Sequence, residues 1–139
     1  EPGFWDVVNH TNKPVIASHS CAHKLCNHPR NLNDTQLKAL AENKGLVGIN
    51  FCPDFLCENG QATIDDVVNH ICHISEVANV DTVALGSDFD GIPVTPDGLE
   101  DASKFPLLIE KLSLKGFHEE EIKKICHGNF VRVLNNVLK

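Results

Sequence analysis

The stretch Pro14-Val15-Ile16-Ala17-Ser18-His19-Ser20 joins a short apolar, β-prone run to a polar segment. Val15, Ile16 and Ala17, bounded by Pro14, read as a buried strand, and His19 stands where that strand gives way to a loop. In parallel α/β folds the carboxyl ends of the strands, and the loops that follow them, are where ligands and metals bind. The loop runs on to His28-Pro29-Arg30-Asn31. Pro29 fixes its own φ and biases His28 toward an extended conformation, so Arg30 is presented from a stiff segment. Its guanidinium carries a planar fork of donors that matches both oxygens of a carboxylate.

A second stretch repeats the design. Thr82, Val83, Ala84 and Leu85 form another apolar run, and Gly86-Ser87-Asp88-Phe89-Asp90-Gly91 ends it with two acids between glycines. Glycines there suit a tight turn or a close approach of backbone to a ligand. If both runs are strands of one parallel sheet, Asp88 stands beside His19 and Arg30 at one rim.

The segments between them fit that arrangement. Phe4, Trp5, Val7 and Val8 suggest a short opening helix. Asn33 followed by Gln36 is a capping-box signal, and Leu37, Leu40 and Ala41 line one helical face as far as Gly45. Leu46 to Phe51 is a mostly apolar run, as in a strand buried on both faces. Residues 52–62 read as a loop, after which Thr63 and Asp66 cap a helix with Val67, Ile71, Ile74 and Ala78 on its inner face. Strand, helix, strand, helix, strand predicts an α/β fold with a parallel sheet. A Pro- and Gly-rich segment follows Gly91. Residues 104–114 read as a helix, His118 caps another beginning Glu119-Glu120-Glu121, and Gly128 divides it from a last one striped by Phe130, Val133, Leu134 and Val137.

The composition narrows the function classes. With 139 residues, 42% hydrophobic and 22% charged, the chain has the make-up of one globular domain or part of one. A formal charge of −7 and scattered basic residues argue against a nucleic-acid partner. No apolar run is long enough to span a membrane, and the opening residues are not expected to be a signal peptide. The absence of Met and the start at Glu-Pro-Gly-Phe-Trp suggest a piece of something larger.

Taken in order, Pro-Val-Ile-Ala-Ser-His-Ser, His-Pro-Arg-Asn-Leu, Gly-Leu-Val-Gly-Ile-Asn-Phe, Gly-Ser-Asp-Phe-Asp-Gly-Ile and Gly-Asn-Phe-Val-Arg-Val resemble the membrane (renal-type) dipeptidase family of zinc dipeptidases, peptidase family M19. The resemblance implies that residues 1–139 are the C-terminal portion, about three to four βα units, of a metal-dependent hydrolase TIM (β/α)₈ barrel, which needs roughly 250 residues in all. It implies hydrolysis of dipeptides by a parent that holds two zinc ions, with His19 as a metal ligand. Arg30 would take the dipeptide's terminal carboxylate, and Asp88 would serve both substrate binding and catalysis near the ammonium and the leaving nitrogen. The family's other ligands, a His-x-Asp pair, a bridging glutamate and a further histidine, have no counterpart here, so the fragment alone is expected to be inactive. The HPRN and GSDFDG motifs are closest to the bacterial branch, which points to a cytoplasmic location. Open sheet edges in a partial barrel favour pairing with another chain, so self-association is expected.

Blander readings stand beside these. A lone histidine after a strand is more often structural than a ligand, an arginine often pairs with a neighbouring acid at the surface, and an Asp between glycines often just forms the turn. Another amidohydrolase-like metal hydrolase uses histidine and aspartate at strand ends too. Cys21-x4-Cys26 and Cys52-x4-Cys57 raise a third possibility, a four-thiolate zinc module with a structural or interaction role. The family resemblance also raises a Cys26–Cys57 disulfide, since animal members have a bridge at similar positions; most of the six cysteines otherwise read as small buried hydrophobes. His70 and His73, at i and i+3, read as solvent-facing. His23 and His28 share the His19 loop, and His10, His118 and His127 read as structural.

Overall fold

A computed structural model describes residues 2–138. Three strands, β1 (Ile16–Ser20), β2 (Leu46–Asn50) and β3 (Val83–Ser87), form one parallel sheet in the order β1-β2-β3. Helix α1 (Pro2–His10) precedes the sheet. Helices α2 (Asp34–Glu42) and α4 (Ile64–Val77) connect its strands, with a four-residue α3 (Pro53–Leu56) inside the second connection. After β3 come α5 (Phe105–Leu114), α6 (Glu119–Lys123) and α7 (Asn129–Val137). The three βα units agree with the expected arc of a barrel.

Local sequence explains most of these boundaries. The Asn33 side chain accepts from the Gln36 backbone amide at 3.0 Å, and the Gln36 side chain accepts from the Asn33 amide at 3.0 Å. Two of the donors that a helix start leaves unpaired are thereby satisfied. Replacing Asn33 by Ala is expected to lower the unfolding free energy by about 1 kcal/mol, read by urea denaturation. The Thr63 amide is held the same way by the Asp66 carboxylate, at 2.8 Å. Strand β2 is buried along its whole length. Val47, Ile49 and Phe51 share one core with Leu37, Leu40, Val67, Ile71 and Ile74 of the connecting helices.

Three expectations are corrected. Residues 52–62 are not all loop, because Pro53 starts the short turn of α3 with its φ already set for a helix. Gly128 does not divide two helices. It has ordinary right-handed helical angles, and a π turn over Lys124–Gly128 joins α6 to α7 without a break. The stripe on α7 is also not its inner face. Val133 is buried, but Phe130, Leu134 and Val137 are exposed. The face turned to the sheet is polar instead: Asn129 donates to the Val80 and Val83 carbonyls, and Arg132 donates to those of Lys44, Gly45 and Asp81. These side chains satisfy backbone acceptors at the amino end of the sheet, which apolar ones could not do.

At the other end the sheet is irregular. Between β1 and β2 the pairing slips by one residue between Ala17 and Ser20, and between β2 and β3 it slips again at Gly86. Such bulges bend a strand and re-aim its side chains. His19 lies inside the first one.

Candidate active-site rim

His19 is the penultimate residue of β1, and its side chain is 41% exposed. Its Nδ1 lies 2.9 Å from Ser18 Oγ, which fixes the ring, and its Nε2 lies 3.9 Å from Asp88 Oδ1. Asp88 follows β3 directly, so an imidazole from one edge strand and a carboxylate from the other meet across β2.

The backbone at Asp88 is in an unusual state. Ser87 and Asp88 have φ of 49° and 77°, left-handed values that side chains other than Gly, Asn and Asp rarely adopt. A turn closed by Gly91 N–H donating to Asp88 O, at 2.9 Å, holds this arrangement. Any side chain at Gly91 would run into the Asp88 carboxylate. Strain of this kind persists only where the surroundings over-determine it, and it clusters at functional sites. Asp88 is therefore both turn residue and rim residue. Asp90 is exposed and has no part in the arrangement.

Arg30 belongs to the same end of the sheet. Ser20 Oγ donates to Arg30 O at 2.8 Å, which ties the arginine's backbone to the tip of β1. Asn31 is buried and braces the loop: its Oδ1 accepts from Cys21 N–H, and its Nδ2 donates to Cys26 O and Phe55 O. The guanidinium carbon sits over the Phe55 ring, 5.3 Å from its centroid, with the His28 ring against the same phenyl at 4.4 Å. Among the described residues Arg30 forms no ion pair. The structure thus joins His19 to Asp88 directly and places Arg30 on the neighbouring loop, held by an aromatic face rather than by either of them.

Two rim residues are missed by sequence reasoning. Asn50, fully buried at the end of β2, donates from Nδ2 to Asp88 Oδ2 at 3.0 Å. An amide closing an otherwise apolar strand was the available signal. His70 is not solvent-facing: it is 1% exposed, accepts from Ala22 N–H at Nδ1 and lies 3.0 Å from Leu56 O at Nε2. It comes three residues after Val67 and four before Ile74, so the same periodicity that placed those two inward would have placed it there too. His73 is half-buried and pairs with Asp34 at 2.8 Å.

The thiols do not assemble a metal centre. Cys21 donates to Asn50 O and Cys26 to Asp54 O, while Cys57 lies against Pro53 O and Asn59. Burial pushes the Cys21 thiol up to about 12, and burial likewise raises Cys26. All six cysteines are free. Among the described residues no three His, Cys, Asp or Glu side chains are grouped to hold a metal ion. His19 fits the role of a single ligand: in the tautomer that donates Nδ1–H to Ser18 Oγ, Nε2 is left with a lone pair at the rim, the form in which imidazole binds zinc.

Parallel βα units with an imidazole and a carboxylate converging at their carboxyl edge define a segment of a TIM-barrel-like α/β protein with a polar rim. The family model of membrane dipeptidase (peptidase family M19) matches residues 1–139, and the chain belongs to that family of metallopeptidases. An uncharacterized protein in the pqqA 5′ region of Klebsiella pneumoniae is 43% identical over 141 residues, which cover 99% of this chain and 52% of that one. An uncharacterized dipeptidase of Schizosaccharomyces pombe is 47% identical over 131 residues, 92% of this chain and 32% of its own length. The crystal structure of a metallopeptidase from Rhodobacter sphaeroides, liganded with a phosphinate mimic of the dipeptide L-Ala-D-Ala, superposes with a TM-score of 0.91 at 36% identity. The match covers 98% of this chain and 40% of that one. The chain thus spans 32–52% of the length of these relatives.

Proposed function

We propose that residues 1–139 supply one side of the active site of a zinc-dependent dipeptidase. The approach of His19 Nε2 to Asp88 Oδ1, 3.9 Å apart at the ends of β1 and β3, carries this reading. His19 is the metal ligand that this chain provides. Bound zinc would supply the Lewis acidity that generates the nucleophile and polarises the scissile carbonyl.

The remaining roles belong to this chain's own groups. Arg30, held over Phe55 and without an ion pair among the described residues, keeps its donors for the terminal carboxylate of a dipeptide. Asp88, with Oδ2 held by Asn50 and Oδ1 toward the rim, would pair as a carboxylate with the substrate's ammonium, take up the proton released by the attacking water and pass that proton to the leaving nitrogen. One imidazole is too few for a two-metal centre, so the 139 residues alone are inactive. Dipeptide hydrolysis by the isolated chain, abolished by a chelator, would contradict this.

In the full-length enzyme, Arg30→Ala is expected to raise KM for a free dipeptide by ten- to a hundredfold, with a smaller change in kcat. It should also erase the preference for a free over an amidated carboxyl terminus. Retention of that preference in Arg30→Ala would remove Arg30 from the substrate.

A further inference from the structure

We infer that Asn50 is a positioning residue, which orients the Asp88 carboxylate toward the rim through a one-way hydrogen-bond chain; the inference rests on the dipeptidase reading of Asp88. Asn50 is completely buried at the last position of β2, and its side-chain amide is engaged at both ends. Oδ1 accepts from Cys52 N–H at 2.6 Å, and Nδ2 donates to Asp88 Oδ2 at 3.0 Å. A backbone N–H can only donate, so it fixes which end of the amide is oxygen and leaves the NH₂ end for Asp88. The carboxylate in turn can only accept while ionised. No alternative orientation of Asn50 satisfies both neighbours.

The backbone holds this chain in place at each step. Asn50 pairs with Ser87 across the sheet, and Phe51 N–H donates to Ser87 O at 2.9 Å. These contacts anchor the two consecutive left-handed residues that swing Asp88 back over the end of β2. With Oδ2 held, Oδ1 is left as the oxygen facing His19, 3.9 Å away. A carboxylate with both oxygens free would rotate about its terminal torsion, which has broad, shallow preferences. Asn50 removes that freedom before substrate arrives. Preorganisation of this kind aligns a reacting group without further reorganisation.

The experiment exchanges donor and acceptor. In the 139-residue chain, Asn50→Asp keeps the side chain's shape and its bond from Cys52 N–H but sets two carboxylates against each other, and its melting temperature should fall. Adding Asp88→Asn to it restores a donor–acceptor pair in the opposite sense, and the melting temperature should recover. In the full-length enzyme Asn50→Asp should lower kcat/KM by ten- to a hundredfold. The exchanged double variant should recover stability without recovering activity, because its carboxylate lies at position 50.

A purely structural Asn50 predicts something else: Asn50→Asp would lower the melting temperature while kcat and KM, measured well below that temperature, stay at their wild-type values. That result would overturn the inference, as would an Asn50→Asp single variant unchanged in both melting temperature and kcat/KM. If Asp88→Asn by itself leaves dipeptide hydrolysis unchanged, the dipeptidase reading of Asp88 fails, and the inference fails with it. Loss of activity in Asp88→Asn with full activity in Asn50→Asp sinks only the positioning role.

Discussion

Alanine at Gly86 is expected to cost the chain a large share of its folding stability. A methyl group there would stand on the Ser18 carbonyl oxygen and within 2.7 Å of the Gly48 carbonyl oxygen, both of them backbone atoms. Gly48 has the reciprocal problem, since its own methyl would lie 2.5 Å from Ser18 O and 3.0 Å from the Cα of Gly86. No rotamer change relieves such contacts. The two glycines let β1, β2 and β3 curl so tightly that the β1 backbone reaches the β3 backbone, at the level where His19 and Asp88 approach each other.

Ordinary overpacking of a core costs about 1–3 kcal/mol. Here the obstacle is the backbone of two strands, and a loss on the order of 4 kcal/mol is expected, a large share of a domain's ~5–15 kcal/mol. Urea denaturation followed by far-UV circular dichroism would read it. Gly128→Ala is the control. Gly128 is helical, and a methyl there would come no nearer than 3.4 Å to another atom, so that variant should be neutral or gain up to ~1 kcal/mol. Equal stability of Gly86→Ala and wild type would mean that the sheet is not curled as described.

Features set by neighbouring residues were readable from the sequence, and features set by distant partners were not. The caps at Asn33 and Thr63 are local chemistry over four residues, and both form as their spacing predicts. Strand β2 was legible because a long apolar run bounded by Gly45 and Pro53 has few other uses. The π turn leaves no mark in residue spacing. The outward stripe of α7 misled because it is amphipathic in the ordinary way; which face turns inward was decided by backbone carbonyls at 80, 83, 44, 45 and 81, far away in the chain.

The site divides along the same line. His19 and Asp88 could be singled out because each follows an apolar run, and the run predicts that a strand ends there. That they share a rim followed from reading both runs as strands of one parallel sheet; their 3.9 Å approach depends on the sheet order and two register slips that no motif encodes. The bracing of Arg30 by Phe55 was likewise hidden, because it depends on how the loop after β1 lies against α3.

His70 is where that hidden layer is most exposed to test. Its ring spans the loop after β1 and α3, accepting from Ala22 N–H at 3.0 Å and donating to Leu56 O at 3.0 Å. Only the neutral ring with its proton on Nε2 can do both. A second proton would set an N–H against the Ala22 N–H inside the core. Burial accordingly lowers the His70 pKa below its usual 6.5, opposed by the bond to Leu56 O and by Asp66, and reinforced by His73.

The sign follows from the unfolded chain, which takes up the proton near 6.5 while the folded one still refuses it. Stability from His70 is therefore complete above about 6.5 and is lost as pH falls below it. His70→Leu leaves a buried donor and a buried acceptor unpaired, and about 2–4 kcal/mol should be lost at pH 8. Because leucine does not titrate, the gap between variant and wild type should narrow at pH 5.5. Urea denaturation of both proteins at the two pH values measures it. An unchanged gap would mean that His70 already carries its second proton in the folded chain, and the clamp between the two rim loops could not then be the hydrogen-bonded bridge seen here.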